Sequence, residues 1–331
     1  MINKRQSDMD QETIVNRIRG GLTSWYPFGK GNSICHVDSS NFEQLADCHE
    51  KYDFVVYGAA IEKNTDVKRA IATLKKLLKR DGILLFGMCN RLGISFFCGE
   101  KNPYTNRIFD KTYLYTKEMM DHALLELGFK NTKYYSVLSN IDNPSHIFAY
   151  GYYPNEDIAN RLFPTYNSPE TVFLREEELY KDMMDNGIFH QMANAYLVET
   201  SLAEDAVLSD VLQVTSTLER NDENAFYTII HADRTVEKRN AFPKGRERFH
   251  YMKEYACDLR EHGIDVVDME VSVDAVRMPF IEAPTGQLKL KQTLRSGDMD
   301  QFYYLLDTFK ESIMKSSDII EDDVRLGPIA R

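Results

Sequence analysis

The chain has 331 residues, 43% hydrophobic and 27% charged, with a net charge of −11. That length and balance suit a globular protein with room for two cores. The acidic excess argues against general nucleic-acid binding, and the lack of a polybasic cluster argues against holding on an anionic membrane. Five cysteines without a CxxC pair speak against a disulfide framework or zinc ribbon and for a reducing compartment.

The polar start, residues 1–21, has no apolar core and does not read as a signal peptide, and no apolar run reaches transmembrane length. A cytoplasmic protein without membrane insertion is expected. The first strand is expected over Ser33–Val37 and the second over Tyr52–Tyr57, a nearly continuous apolar run of the kind buried in parallel sheets. Val67, Ile71, Leu74, Leu77 and Leu78 follow helical spacing, which predicts an amphipathic helix from Asp66 to Lys79, ended by Asp81-Gly82. Ile83–Phe86 then makes a buried strand, completing a βαβ unit.

Thr116 predicts the cap of a helix over Lys117–Leu127 that stops at Gly128. Closing strands follow near Asn131–Leu138 and His146–Tyr152. Residues 153–200, broken by Pro154, Pro164 and Pro169, are expected to wrap irregularly over this first domain. From about residue 205 the pattern becomes alternating. Strands are expected at Val211–Thr217, Ala225–Ile230 and Thr235–Ala241, a helix at Gly245–His262, and strands at Val266–Met269 and Val276–Ile281, followed by two helical stretches. The expected division is therefore 1–204, with a core at about 22–150, and 205–331. The fold class is α/β: a shortened Rossmann-like sheet followed by an α+β domain with a mostly antiparallel sheet.

Four stretches carry a resemblance: Trp25–Phe28 before the first strand, Phe54–Glu62, the insert Asn90–Gly93 with Asn102–Asp110, and Tyr115–Phe129. On these, residues 22–200 resemble the class I S-adenosylmethionine-dependent methyltransferases of bacterial surface-polysaccharide biosynthesis. The resemblance implies a cofactor held by a glycine-rich turn after strand one and by a carboxylate after strand two. Here Asp38-Ser39-Ser40-Asn41-Phe42 follows strand one and contains no GxG. Only 14 residues separate Val37 from Tyr52, too few for the missing helices and strands. Ile34–Val37 also fits as the third strand, with the same machinery deleted. The insert has Tyr104 where family members tend to have histidine.

The cofactor candidates are Asp38, which also fits as a turn cap; Gly58, which permits close approach or relieves packing; and Glu62, beyond the carboxyl end of a strand. Arg91 and Arg107 are candidates for an anionic sugar-nucleotide or phosphate, or for surface ion pairs. Tyr104 is a candidate for substrate contact, or for packing. The second half faintly resembles a kinase small lobe, which implies an ion pair between Lys238 on a strand and Glu254 on the next helix, with Met278–Glu282 as a hinge. No HRD or DFG follows, so the base and magnesium ligands of phosphotransfer are missing. The eight histidines form no HxxxH or HxH pattern, so no metal is expected.

The resulting expectation is a degenerate methyltransferase-like binding or scaffold component of surface-polysaccharide assembly. Its partners would be other assembly proteins or a second copy, and S-adenosylmethionine would bind weakly or not at all. An active methyltransferase acting on a glycan or sugar-nucleotide is the alternative, and a kinase-like nucleotide-binding module a third.

Overall fold

The computed structural model describes residues 11–45, 48–64, 66–154, 158 and 162–316. The chain opens with helix α1 (Gln11–Gly20) and strand β1 (Ile34–Val37), followed by the single turn α2 (Phe42–Leu45). The apolar runs pair as their composition requires: β2 (Tyr52–Ala60) lies parallel to β1, and β3 (Leu78–Cys89) lies parallel to β2, with Phe54 opposite Ile83 and Tyr57 opposite Phe86. Between them runs α3 (Val67–Lys75), shorter than its apolar spacing suggests, with the Asp66 carboxylate capping Arg69 N at 3.0 Å. Asp81-Gly82 does not end the helix. It sits in a bulge near the start of β3, where a Cβ on Gly82 would come within 2.9 Å of the Tyr52 carbonyl oxygen.

Next come the short α4 (Ile94–Phe97) and α5 (Lys117–Glu126), which Thr116 caps through Met119 N and Gly128 closes at φ +84°. Then follow β4 (Asn131–Ser139), β5 (Pro144–Ala149), α6 (Tyr180–Asp185) and β6 (Ala195–Ser201). Strand β6 corrects the expectation of an irregular wrap over 153–200. All seven of its residues are buried, and it lies antiparallel between β3 and β4. Because it is antiparallel to both, β4 runs in the same sense as β1, β2 and β3.

The remainder is β7 (Val211–Ser216), β8 (Phe226–His231), β9 (Thr235–Asn240), α7 (Arg246–Glu261), β10 (Glu270–Val271), β11 (Ala275–Pro279), α8 (Gly286–Ser296) and α9 (Met299–Ser316). The strand expected at Val266–Met269 is displaced to the two residues of β10. A second correction concerns the sheets. The expected halves do not hold separate ones: β7 pairs antiparallel with β5, His146 opposite Thr215, giving one mixed eleven-stranded sheet in the order β1-β2-β3-β6-β4-β5-β7-β8-β9-β11-β10.

One apolar layer crosses that junction. Leu22, Trp25 and Tyr26 pack on Leu85, Tyr135 and Leu197 of the first half and belong to the same cluster as Val214, Tyr227 and Ile229 of the second. Arg17 bonds Asp222 at 2.7 Å and Arg239 donates to the Trp25 carbonyl at 3.0 Å, so the N-terminal segment fastens both halves. The opposite face of β1–β3 and β6 is covered by α3 and α5 through Ile71, Leu74, Met120 and Leu124.

Within the layer that crosses the junction, the Glu199 carboxylate on β6 is fully buried. It accepts from Tyr26 Oη at 2.5 Å, Tyr135 Oη at 3.0 Å and Ser209 N at 2.7 Å. Removing it takes this acceptor from two buried hydroxyls and a half-buried amide. Glu199→Ala is expected to destabilise the protein by roughly 3 kcal/mol, and Glu199→Gln by less, in urea denaturation. A loss below about 0.5 kcal/mol, the scale of an ordinary surface change, would contradict this account.

His231, buried at the end of β8, sits between Asp210 Oδ1 at 3.1 Å and Glu237 Oε2 at 3.6 Å. The Glu237 carboxylate, followed by Asp210, outweighs burial and raises the imidazole pKa above its ordinary value. A raised folded-state pKa stabilises fully below the unfolded value, about pH 6.5, and the contribution fades as pH rises through the folded value. His231→Gln is expected to cost roughly 1–2 kcal/mol at about pH 6, less as the pH is raised; denaturation series at both ends check it.

Candidate functional site

The carboxyl ends of β2, β3 and β4 open on one edge of the sheet, at Ala60, Cys89 and Ser139. Ligands of open α/β sheets bind at such an edge. Beyond β2 the chain makes a 3-10 turn, Ile61–Lys63, which turns Glu62 inward until 4% of it is exposed. Glu62 Oε1 accepts from Cys89 N at 2.6 Å, tying the end of β2 to the end of β3. Its Oε2 is buried and makes no hydrogen bond of normal geometry. Burial pushes the carboxyl pKa up, against the lowering effect of the amide donors.

The Tyr104 hydroxyl lies beside both Glu62 and Cys89. Burial first, then the neighbouring thiol and carboxyl, raise its pKa far above the ordinary phenol value, so it stays a neutral donor. The loop carrying Tyr104 is built around Asn102, which is 1% exposed. Asn102 Oδ1 accepts from Tyr104 N at 2.8 Å and Thr105 N at 3.2 Å, while Nδ2 donates to the Asp110 and Thr112 carbonyls at 3.1 and 2.9 Å. Buried Glu100 fastens the loop to the opposite wall by accepting from Asn167 N at 2.8 Å and Ser168 N at 3.1 Å.

Cys89, Asn102 and Tyr104 line a cleft of about 410 Å³, and Glu62 and Glu100 are buried outside its lining. Lys101, Asn140, Asp142 and Ser168 also line it. Ten of its thirteen lining residues carry side chains able to hydrogen-bond. Asp142 is held by Arg19 at 2.7 Å and Lys101 by Glu170 at 2.8 Å, so the cleft's charges are largely compensated at its rim.

Of the candidates read from sequence, the fold brings together Glu62 and Tyr104. The others lie elsewhere. Asp38 is exposed, and its Oδ1 is engaged by Ser40 N at 2.7 Å, Ser40 Oγ at 2.5 Å and Asn41 N at 3.2 Å, which makes it a turn cap. Gly58 is exposed at an irregularity in β2, where a Cβ would meet nothing within 4 Å. Arg107 is exposed at the loop tip. Arg91 faces away from the cleft, beside Lys111.

The Lys238–Glu254 pair is corrected. Glu254 bonds His250 at 3.3 Å, and the charge facing Lys238 is that of Arg248. The buried residues of α7 are Phe249 and Ala256, and Glu254, two positions before Ala256, falls on the far side of the helix. Asn102, Glu100 and Cys89 were not singled out from sequence; an asparagine beside proline in Asn102-Pro103 was the available signal of a built turn.

Among the described residues no group of three His, Cys, Asp or Glu side chains is placed to hold a metal, and no helix is long and apolar enough to cross a membrane. No family model matches the sequence. A protein of Methanocaldococcus jannaschii described as uncharacterized is 30% identical over 92 residues, 28% of this chain and 44% of that protein, so the match spans under half of the relative. A Thermotoga maritima S-adenosylmethionine-dependent methyltransferase, described as a possible histamine N-methyltransferase, superposes with a TM-score of 0.33 at 10% identity, over 57% of this chain and 91% of its own.

The burial of Glu62 has a pH signature. A carboxyl with a raised folded-state pKa favours the fold below the ordinary carboxylate range, and that contribution is lost as pH rises through the folded value. Glu62→Gln is expected to gain stability relative to the parent as pH rises above the ordinary carboxylate value, about 4.3. Parallel denaturant titrations that show no change in the difference would mean that Glu62 is solvated.

Proposed function

We propose that this chain is a methyltransferase-like binding component of surface-polysaccharide assembly, whose cleft takes a glycan or the sugar moiety of a sugar nucleotide. The observation that carries the reading is the cleft at the carboxyl ends of β2, β3 and β4. Tyr104, Asn140, Asp142 and Ser168 bring hydroxyl, amide and carboxylate groups to its lining, Tyr104 on a loop that Asn102 holds in shape. Behind that wall, buried Glu62 stands beside the Tyr104 hydroxyl. Polar groups of this kind, held by buried Asn102 and Glu100, discriminate strongly because a ligand lacking the matching hydroxyl leaves them unpaired.

The residues after β1 do not fit S-adenosylmethionine. A cradle for its carboxylate and ribose needs free backbone donors in a tight turn over a helix. Here the Ser40 and Asn41 amides are taken by Asp38, the following helix is one turn long, and β1 has no further strand beyond it among the described residues. The alternative of an active methyltransferase draws on Glu62 and Tyr104, a buried acid and a neutral hydroxyl at one cleft wall.

Calorimetric titration separates the two readings. S-adenosylmethionine and S-adenosylhomocysteine are expected to give no measurable heat. UDP-glucose is expected to bind, and Tyr104→Phe and Asn140→Ala each to weaken it about tenfold, the scale of one lost hydrogen bond. Low-micromolar binding of S-adenosylmethionine, or a flat UDP-glucose titration, would overturn the proposal.

A further inference from the structure

On the other side of the Tyr104 loop lies a second pocket, of about 520 Å³, lined by Arg91, Asp110, Lys111, Thr112, Tyr113, Leu114, Tyr115 and Met119. Its cations are unusual for this chain. With 51 acidic residues against 40 lysines and arginines, a cation ordinarily finds a carboxylate close by. Yet the Lys111 ammonium is buried and makes no hydrogen bond. It lies 4.3 Å from the Phe96 ring centroid and 5.0 Å from that of Phe97, contacts that offset part of the loss of water without supplying a counter-charge. The neighbouring charge is like, not opposite: Arg91 lies close enough to disfavour the charged lysine, adding to the larger effect of burial. The Arg91 guanidinium has no ion pair among the described residues.

The third contribution comes from α5. The lining runs from Leu114 and Tyr115 to Met119, around the first turn of that ten-residue helix. Thr116 Oγ1 caps Met119 N, and the amides before it are the unsatisfied donors that a helix N-terminus presents. The carboxylate present, Asp110, is engaged within its own exposed turn: its Oδ1 accepts from Thr112 N at 2.9 Å and Thr112 Oγ1 at 2.6 Å. Asp110 would repel an anion on its own side, which leaves the Arg91–Lys111 wall as the favourable one. Two cationic residues line one pocket, and the ammonium of one is buried against aromatic rings without a partner, a configuration that a doubly charged oxyanion completes.

We propose that the pocket between Arg91 and Lys111 binds phosphate, either free or as a phosphate ester. The site is separate from the Glu62 cleft and does not rest on the reading of that cleft. An anion entering it draws the Lys111 ammonium from the Phe96 and Phe97 rings toward Arg91 and receives the bidentate face of the guanidinium.

The test is titration of the intact chain with inorganic phosphate and, separately, with a hexose 1-phosphate, followed by calorimetry and by the rise in melting temperature. Both should fall at least tenfold in affinity in Arg91→Gln and in Lys111→Met, and binding should weaken with added salt. Lys111→Met removes a buried unpaired charge and is expected to fold, with circular dichroism as the check. Tighter binding of the ester assigns the site to a phosphorylated ligand, and equal binding to free phosphate. No binding of either at millimolar concentration, or binding unchanged in both variants, would sink the proposal.

Discussion

A carboxylate cannot be buried in a sheet without donors to meet it, and the position of Glu199 on β6 organises much of this molecule. The strand around it is buried along its whole length and pairs on both sides, so Glu199 cannot reach water. Its donors come from three distant parts of the chain. Tyr26 brings the N-terminal segment onto the sheet, Tyr135 lies across the β4 pairing, and Ser209 anchors the approach to β7. Lys133, directly opposite Glu199 on β4, donates to the Ser209 and Val211 carbonyls and closes the same arrangement. Satisfying one buried acid thus fixes where the second half of the chain begins.

The cleft follows from the same strand. Neighbouring strands lie about 4.8 Å apart, so placing β6 between β3 and β4 separates their carboxyl ends by about 10 Å. At that edge β6 begins rather than ends, and Asn194 just before it is fully engaged. It accepts from Ser95 N at 2.9 Å and donates to the Ser139 carbonyl at 2.9 Å and to the buried Glu176 carboxyl. The gap between Cys89 and Asn140 is left for the loop around Asn102 to line. Burial raises Glu176 to about 7, partly countered by Asn194 and Tyr180, so this support titrates near neutrality.

The parts of the fold legible in sequence were those whose signal is local. Continuous apolar runs marked β2 and β3, and a threonine cap with a terminating glycine marked α5. The long-range parts left no such trace. Strand β6 was hidden because Glu199 interrupts its apolar run and the prolines before it suggested a loop. The β5–β7 pairing joins two strands whose local patterns say nothing of each other, which is why two sheets were expected. At the cleft, the position of Glu62 after a strand could be read. The Tyr104 and Asn102 roles depend on a loop folding back across 40 residues of chain, and they became visible only in three dimensions. The Lys238–Glu254 expectation failed on helical phase: the face of α7 that packs inward carries Phe249 and Ala256.

The order of the strands also decides which backbone the sheet leaves at its edges. A sheet that does not close keeps two open edges, each a template for adding a foreign strand. Among the described residues one edge is the four-residue β1 and the other the two-residue β10, while the twelve-residue β3 and nine-residue β4 lie inside. The exposed ladder is brief at both ends. Strand β11 covers Thr235–Arg239 of β9, so without these two small strands the longer ladder of β9 would form the edge.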